Sequence, residues 1–562
     1  MRIALVSGPD STGLLCRLQD DGKSDGPAEP VSDLPAAVAA AEAAGPVRWV
    51  WRSARVLYPG LLRAGVRVGR CHDVDLTAAL LRARDGSDEP AAAASGQRVR
   101  EHTAAPSGGS APAQLEFEAD NGGSADPAGE LSALVSAHAD QLARISTDPD
   151  SARFALLVAA ESAGGLAAAE MTAAGLPWRA DVHERLLASL LGARPLVTAG
   201  VSVRPSRLVE LVGQISEALG ANRPVNPDSP AQLQRALAAA GVQVSSTRSS
   251  ALRKVDHPVI APLLEYKELA RLYSANGWSW LDTWVSGGRF RPEYVVGGVV
   301  SGRWASRGGG ALQIPKVLRQ AVVADPGWQL VVADAAQLEP RVLAALAGDR
   351  SFAQAAAEGD LYAAVAAALG RDRATAKVAL LSAMYGGSGG GDGQPLALLR
   401  RRFPQAAAYV EDAARAGQEG RVVRSVLGRT CPPPSSAWLA LTSDPADPED
   451  PRDPGAGAAT RARGRFTRNF VVQASAADWA LVMLALLRSR LAAAPESSAV
   501  PAPELVFFQH DEVVVHSPAD QSESVVAAVQ AAAKEATRLV FGNTDVSFPM
   551  TTAVVTCYAD AK

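Results

Sequence analysis

A segment near the C-terminal end, residues 505–516, constrains the fold more than any other part of the chain. Two runs of Val, Leu and Phe flank the polar sequence Gln509-His510-Asp511-Glu512. Apolar β-type runs on both sides of a short polar turn predict an antiparallel hairpin whose strands are buried in a sheet. Two adjacent carboxylates, those of Asp511 and Glu512, are therefore predicted at the tip of the hairpin.

A second predicted strand, residues 327–333, is followed at once by an acid, Asp334. Acids at a strand end and at a hairpin tip can project into one cleft, which would bring together the oxygen ligands that Mg²⁺ prefers. Phosphoryl transfer with two metal ions needs carboxylates that bridge ions about 4 Å apart. Each acid alone is also compatible with a solvated turn, so the interpretation depends on their occurring together.

A predicted helix adds positive charge. Arg373, Lys377, Leu381 and Tyr385 follow one another at intervals of four residues. They share one helical face because each such step drifts by only about 40°. Two cations one turn apart repel each other unless an anion lies over them, and a triphosphate would supply that anion. An ordinary helix with a solvated basic face would show the same pattern.

Composition narrows the class of protein. The 562 residues carry 55 Lys and Arg against 59 Asp and Glu, which excludes a uniformly basic surface but not a locally basic cleft. The four cysteines are isolated and include no CxxC pair. This argues against a zinc ribbon or a disulfide framework and is typical of a reducing cytoplasm. We predict neither a signal peptide nor a membrane partner, because the N-terminal apolar run is short and no run of 18 apolar residues occurs.

The order of predicted elements divides the chain into an α/β N-terminal part, a mostly helical part and a C-terminal half in which short strands alternate with helices. Two stretches rich in small and turn-forming residues, 85–129 and 432–459, predict a disordered insert and an exposed, flexible loop. The predicted boundaries are 1–84 followed by the insert, then 130–290, 291–349, 350–425 and 426–562.

Several motifs, in the family's own order, resemble those of the polymerase domain of family A DNA polymerases, the DNA polymerase I family. D-A-A-Q-L-E-P-R resembles the family motif D-Y-S-Q-I-E-L-R, R-x3-K-x7-Y-G recurs in the predicted helix, and Q-H-D-E resembles V-H-D-E. N-F-V-V-Q-A-S-A-A-D is similar to N-x-P-x-Q-G-x-A-A-D, while S-G-R-W-A-S and L-Q-I-P are similar to T-G-R-L-S-S and N-L-Q-N-I-P. The resemblance covers roughly residues 150–562.

This resemblance implies an α/β multidomain protein with a right-hand polymerase, which has an antiparallel palm sheet, helical fingers and a helical thumb. A small ribonuclease H-like α/β domain of the 3′–5′ exonuclease type would precede it. The five segments defined above would then be, in order, the degenerate exonuclease-like domain with its insert, the linker helix and thumb, the first part of the palm, the fingers, and the second part of the palm.

The resemblance also implies the catalytic residues and the cofactor. Asp334 and Asp511 would hold two metal ions, Mg²⁺ or alternatively Mn²⁺, and Glu512 would support them. Lys377 would neutralise charge on the incoming triphosphate. Positioning and charge neutralisation are the main requirements of phosphoryl transfer, so no other catalytic group is implied.

Two substrates follow from the same resemblance: a deoxynucleoside triphosphate and primer–template DNA. Arg373 and Lys377 would bind the triphosphate, and Glu339 would act as a steric gate against a 2′-hydroxyl. Polar contacts to the minor groove suit sequence-independent reading, because its acceptors are nearly the same for every base pair. The other implied nucleotide contacts are Gln337, Tyr362, Leu381 and Tyr385, and the implied DNA contacts are Arg303, Gln313, Arg465, Asn469, Gln473 and His510.

Four positions depart from the family pattern. Leu381 replaces an aromatic ring near the incoming sugar and base, and Tyr362 replaces a His that touches the phosphates. Ala335 and Pro340 replace a Tyr and an apolar residue near the first acid. None of these changes removes a metal ligand, so they bear on rate, fidelity and sugar selectivity and leave room for a weak or specialised polymerase.

The exonuclease-like part lacks the four carboxylates that its chemistry needs. Its first strand has no D-x-E, Ser53 and Leu57 stand where Asn and Asp would be expected, and no Y-x3-D follows. Asp73 and Asp75 are predicted to be a helix N-cap and a first-turn acid. We therefore expect no proofreading.

Two functions of different classes remain open. The first is a template-directed DNA polymerase, a cytoplasmic, nucleoid-associated monomer that acts in DNA repair or replication. The second is a DNA-binding accessory protein of the same fold with negligible catalysis; an active exonuclease and an RNA-directed enzyme are weaker alternatives. The acids Asp334 and Asp511 together with Lys377 favour the polymerase, because a binding protein has no reason to keep clustered carboxylates beside a phosphate backbone.

Overall fold

The computed structural model describes residues 1–86, 126–195, 204–307, 310, 314–357, 359–385, 397, 400–442, 454–492 and 501–561. Most of the predicted insert and the predicted DNA contact Gln313 lie outside the described residues.

The N-terminal unit shows the predicted alternation of strands and helices. Its elements are β1 (Arg2–Ser7), β2 (Gly13–Leu18), β3 (Glu29–Val31), α1 (Leu34–Ala44), β4 (Arg48–Trp51), α2 (Ala54–Arg63), β5 (Arg70–Asp73) and α3 (Val74–Asp85). The strands form one sheet in the order β3-β2-β1-β4-β5, in which β1 is antiparallel to β2 and parallel to β4. Trp49, Trp51 and Tyr58 are fully buried in its core.

The next part of the chain is mostly helical, as predicted. Its elements are α4 (Pro127–Ser146), α5 (Ser151–Ala174), β6 (Leu176–Pro177), α6 (Ala180–Leu191), α7 (Ser206–Ala218), α8 (Pro230–Ala239), α9 (Ser249–Leu252), α10 (Ile260–Asn276), α11 (Trp278–Trp284), β7 (Val285–Ser286) and β8 (Arg289–Phe290). The rings of Trp178, Trp280 and Phe290 pack together, with centroids 4.8–5.6 Å apart. These aromatic side chains belong to the core that holds α6, α7 and α10 together.

Two short strands, β9 (Glu293–Val295) and β10 (Ala305–Arg307), pair antiparallel. The β-branched residues of Tyr-Val-Val-Gly-Gly-Val-Val at 294–300 predict a strand over that range, and this prediction is wrong beyond Val295. Gly297 has a φ of 60°, which is left-handed backbone that interrupts an extended strand. The chain turns there, and the N–H of Val299 donates to the carbonyl of Arg303.

A four-stranded antiparallel sheet lies at the centre of the C-terminal half. Its strands are β11 (Trp328–Ala335), β12 (Glu504–Gln509), β13 (Glu512–Pro518) and β14 (Met550–Val555), in the order β12-β13-β11-β14. Alternate side chains of β11 enter two different cores: Val331 and Ala333 join one, whereas Leu330 and Val332 join the other. The sheet is therefore buried on both faces. This explains why the sequences of β11 and of the hairpin strands are continuous apolar runs.

Helices surround this sheet and complete the C-terminal half. They are α12 (Leu338–Ala347), α13 (Arg350–Ala357), α14 (Leu361–Leu369), α15 (Arg373–Tyr385), α16 (Pro404–Gln418), α17 (Ser436–Thr442), α18 (Pro454–Ala492) and α19 (Ser522–Phe541). The predicted cationic helix is confirmed as α15. The hairpin and the strand before Asp334 are confirmed as well, whereas β14 was not predicted.

The prediction of an exposed loop over 432–459 was wrong in part, because α17 and the first turn of α18 lie within it. Trp438 explains the helix. Its indole N–H donates to the carbonyl of Ala459 at 3.2 Å, and the guanidinium of Arg463 lies 5.8 Å from its ring centre. Packing of one large aromatic side chain on α18 outweighs the loop-like composition around it.

Among the described residues, the helices α5 and α18 are long and apolar enough to cross a membrane by length and composition alone. Their apolar windows are 72% and 78% buried inside the protein. Burial of this extent is typical of core helices, so their hydropathy is explained by packing.

A buried ion pair joins the N-terminal unit to the C-terminal half. Arg488 on α18 donates to both carboxylate oxygens of Glu170 on α5, at 2.7 and 2.9 Å. The same guanidinium donates to the carbonyls of Val68 and Gly69, and the hydroxyl of Tyr58 donates to Glu170 at 2.6 Å. Both charged side chains are less than 10% exposed. Each charge therefore depends on the other to compensate for the free-energy cost of its burial.

We expect Arg488→Met to lower the free energy of unfolding by about 3–5 kcal/mol, because it leaves the buried Glu170 carboxylate without its partner. Arg490→Met is a matched control on the same helix: Arg490 pairs with Glu535 at 3.5 Å, and both side chains are more than a third exposed. The control should change stability by less than about 1 kcal/mol. Urea denaturation measures both, and equal effects of the two variants would contradict the prediction.

Candidate active site

The predicted acids converge at one end of the four-stranded sheet. β12 and β13 are joined by the two-residue turn His510-Asp511, in which His510 has a φ of 58°. The carbonyl of Asp511 accepts a hydrogen bond of 2.9 Å from the N–H of Ala335. Asp334 lies directly opposite Glu512 in the register of β11 and β13. Backbone pairing thus places Asp334 and Glu512 on adjacent strands and Asp511 in the neighbouring turn, all at the same end of the sheet.

The three acids differ in burial. Asp334 and Asp511 are half-buried, whereas Glu512 is only 4% exposed. The hydroxyl of Tyr558 donates a hydrogen bond to Glu512, and the guanidinium of Arg319 lies 4.5 Å from the centre of the Tyr558 ring. Burial and the nearby carboxylate of Glu512 raise the pKa of Tyr558, so its hydroxyl keeps its proton and remains a donor. Glu512 is therefore a buried acid whose carboxylate is held by the hydroxyl of Tyr558.

A cavity beside Asp511 is lined in part by Arg303, Glu339 and His510. Arg303 and Glu339 form an ion pair across it. Burial, followed by the positive charge of Arg303, lowers the pKa of His510, so its imidazole is neutral at neutral pH. The structure thus gathers four of the predicted site residues around one opening, although the predicted steric gate and a predicted DNA contact bind each other here.

The cations of α15 lie beside a second cluster. The Nε of Arg373 donates to Asp360 at 2.7 Å, and this hydrogen bond lowers the pKa of Asp360 to about 2. The amide of Gln337 donates to Asp360 at 2.8 Å and accepts from the N–H of Leu361 at 2.8 Å. Gln337, predicted to contact the nucleotide, therefore connects the segment after Asp334 to α14 and, through Asp360, to α15.

The predicted face of α15 is confirmed as a helical face. Arg373 and Lys377 are exposed, whereas Leu381 and Tyr385 are half-buried. Tyr385 packs against the larger hydrophobic core, at the opposite end of the helix from Arg373. The helix thus presents charge at one end and apolar surface at the other.

Three predicted DNA contacts, Arg465, Asn469 and Gln473, lie four residues apart on α18 and so share a face. Arg465 is exposed and the two amides are half-buried. Among the described residues, the side-chain oxygen of Asn469 has no hydrogen-bond donor. Asp478, the last residue of that motif, is fully buried and pairs with Arg429 at 3.2 Å, so it is structural.

Sequence reasoning missed Tyr558 and Asp360. Tyr558 lies 46 residues from Glu512 and carries no motif that links the two. Asp360 is the N-cap of α14, where its side chain accepts from the N–H groups of Tyr362 and Ala363. An Asp immediately before an apolar helix is a recognisable N-cap signal, so this residue could have been found.

Residues 203–556, more than half of the chain, match the sequence profile of DNA polymerase family A. This chain belongs to DNA polymerase family A. The resemblance drawn from the motifs is thereby confirmed.

Two bacterial members of the family illustrate the relationship. The chain is 26% identical over 299 residues to DNA polymerase I of Chloroflexus aurantiacus, which is 48% of this chain and 29% of that protein. It is 26% identical over 380 residues to the thermostable DNA polymerase I of Thermus filiformis, which is 60% of this chain and 42% of that protein. The chain thus spans less than half the length of these family A relatives.

A solved family structure agrees with the fold. It is the polymerase domain of Pol1 from M. smegmatis in complex with primer–template DNA and dNTP, and it matches with a TM-score of 0.69 at 19% identity. The alignment covers 100% of this chain and 95% of that one. The predicted fold class, an α/β multidomain right-hand polymerase preceded by a small α/β domain, is confirmed.

The acids of this family A chain fit Mg²⁺ by their chemistry, since carboxylate oxygens are the hard ligands that it prefers. Among the described residues, no group of three or more His, Cys, Asp or Glu side chains is arranged to hold a metal ion. Mg²⁺ is commonly bound through one or two carboxylates together with substrate phosphates. Asp334 and Asp511 would supply the carboxylates in such a site.

Two acids of the N-terminal unit, Asp73 and Asp75, are engaged in local structure. Both oxygens of Asp73 accept backbone hydrogen bonds, from Ala54 at 2.7 Å and from Leu76 at 3.0 Å. Asp75 follows in the first turn of α3 and pairs with Arg52 at 3.6 Å. The N-cap and first-turn predictions are confirmed.

Tyr558→Phe should lower the free energy of unfolding by about 1–3 kcal/mol, because the buried carboxylate of Glu512 loses a donor while the ring and its contact with Arg319 remain. Tyr273→Phe on α10, the same chemical change at a half-buried residue, serves as the control and should cost less. Equilibrium denaturation gives both values. A Tyr558→Phe protein as stable as the parent would show that the hydrogen bond contributes nothing.

Proposed function

We propose that this protein is a template-directed DNA polymerase that adds deoxynucleotides to a primer 3′ end by two-metal phosphoryl transfer. One observation supports this most directly: a continuous chain of contacts links the acids to the cations of α15. Gln337, three residues after Asp334, donates to Asp360, which in turn accepts from Arg373. Metal-binding carboxylates and phosphate-binding cations are thus held in one rigid frame, as phosphoryl transfer requires.

In this proposal Mg²⁺, or Mn²⁺ in its place, would lower the pKa of the primer hydroxyl and neutralise charge on the leaving oxygen. Asp334 and Asp511 would hold the metal ions. Glu512, itself held by Tyr558, keeps the hairpin tip in register with β11. Lys377, with Arg373 beside it, binds the triphosphate.

The remaining contacts are assigned to the two substrates. Glu339 limits the sugar at the 2′ position, and Arg303, with which it forms an ion pair, contacts the primer end. Both lie in the cavity beside Asp511, which supports a role at the primer end. Gln337, Tyr362, Leu381 and Tyr385 surround the nucleotide, and Arg303, Gln313, Arg465, Asn469, Gln473 and His510 contact the DNA.

The proposed division of the chain follows the sequence boundaries: residues 1–84 with the insert form a degenerate exonuclease-like domain, 130–290 the linker helix and thumb, 350–425 the fingers, and the flanking segments 291–349 and 426–562 the palm. The enzyme is proposed to act as a cytoplasmic, nucleoid-associated monomer in DNA replication or repair, without proofreading. The family A relatives named DNA polymerase I support the reaction class.

Asp334→Ala and Asp511→Ala should each reduce primer extension by about 1000-fold or more, because a lost metal carboxylate acts on the transition state. Binding of primer–template DNA should survive, since duplex affinity depends mainly on phosphate contacts. Gel-based extension and fluorescence anisotropy measure the two properties separately.

Asp520→Ala is the matched control for both variants, because Asp520 is an exposed acid beyond the opposite end of β13. It should extend primers like the parent protein. Extension near parental levels in either active-site variant would refute the metal assignment. DNA binding without extension by the parent protein would instead indicate the accessory function.

The protein should not shorten a primer 3′ end when Mg²⁺ is present and nucleotides and pyrophosphate are absent. The N-terminal unit has no acidic quartet in sequence, and the oxygens of Asp73 are occupied by backbone donors. The parent and Asp511→Ala are compared on a labelled primer–template. Metal-dependent shortening of equal rate in both would reveal a nuclease site apart from the polymerase site.

A further inference from the structure

Tyr362 lies beneath both cations of α15. The guanidinium carbon of Arg373 is 5.5 Å from the centre of its ring, and the ammonium nitrogen of Lys377 is 5.7 Å from the same point. The tyrosine itself is only 7% exposed, at the start of α14, whereas both cations are exposed. One buried aromatic ring is therefore shared by two exposed charged side chains.

This arrangement offsets the electrostatic repulsion between the two cations. Arg373 and Lys377 lie one turn apart on α15, so their charges repel each other in the absence of a ligand. The face of an aromatic ring carries partial negative charge and attracts cations within about 6 Å of its centre. Sharing Tyr362 keeps the two cations near each other before an anion arrives.

Asp360 restricts one of these cations further. It accepts from the Nε of Arg373 at 2.7 Å, and its other oxygen is held by Gln337 and by the N–H groups at the start of α14. The contact uses Nε, so the terminal amino groups of Arg373 can still turn towards a ligand. The carboxylate thus sets the direction of the guanidinium without blocking its outer edge.

We propose that Tyr362 is a positioning residue whose ring face holds Arg373 and Lys377 together as a preformed clamp for a triphosphate. The ring, and not its hydroxyl, carries this role, since the two cations lie over the ring. Preorganisation of this kind strengthens binding because less side-chain freedom is lost when the ligand arrives. The inference rests on the proposed function for the nature of the ligand, but the clamp can be tested without DNA synthesis.

The test is titration of the full-length protein with inorganic tripolyphosphate, without DNA, by isothermal calorimetry. Tyr362→Leu removes the ring and should weaken the Kd about 3- to 10-fold. Tyr362→Phe keeps the ring and should restore most of the affinity. Phe403→Leu is the matched control, because Phe403 is a buried ring in the same region with the guanidinium of Arg402 5.9 Å from its centre. It should lower the melting temperature and leave the Kd unaltered.

Each contrary outcome overturns the clamp. A Tyr362→Phe protein that binds as weakly as Tyr362→Leu would assign the role to the hydroxyl. A Tyr362→Leu protein with the parental Kd, a Phe403→Leu protein with equal loss of affinity, or a parent protein that binds no tripolyphosphate would exclude the ring as a positioning group. Absence of primer extension by the parent protein would refute the polymerase proposal instead, because the titration measures binding alone.

Discussion

The hydrogen bond from the N–H of Ala335 to the carbonyl of Asp511 is the contact on which the candidate site depends. It joins the end of β11 to the hairpin turn and, with the pairing of Asp334 and Glu512, sets the relative positions of all three acids. A shift of one residue in this register would turn every side chain of β11 to the opposite face. Alternate side chains of β11 are buried in two separate cores. Such a shift would therefore move each side chain into the wrong core and disrupt the packing of both.

Buried charges join α5, α18 and the N-terminal unit to one another. Arg429 on the segment before α17 donates to Glu161 on α5 and to Asp478 on α18, and all three side chains are nearly inaccessible. Arg488 and Glu170 repeat the arrangement further along the same two helices, and Arg488 also donates to backbone carbonyls of the N-terminal unit. In each group, the attraction between opposite charges and the hydrogen bonds compensate for the hydration that the charges lost on folding. The N-terminal unit therefore contributes packing to α5 and α18, whatever its own chemistry.

The parts of the fold that were predicted correctly are those with a strong local pattern. The hairpin, β11 and α15 each carry a clear periodicity or a clear turn, and their limits agree with the prediction to within a few residues. β14 and α17 were missed because Thr-rich and Pro-rich segments have weak periodicity, and they are ordered by contacts with distant residues such as those of Trp438 with α18. Similarly, the strand predicted over 294–300 was cut short by the backbone of Gly297.

By itself, the sequence determined the family, the identity of the acids and cations, and the helix or strand that carries each, because these follow from residue type and spacing. Only the tertiary structure decided which side chains support them. Tyr558 reaches Glu512, Asp360 binds Arg373, and Tyr362 lies beneath two cations through contacts between separate elements. Such contacts depend on how helices and strands pack, and that packing is set by cores whose members are scattered along the whole chain.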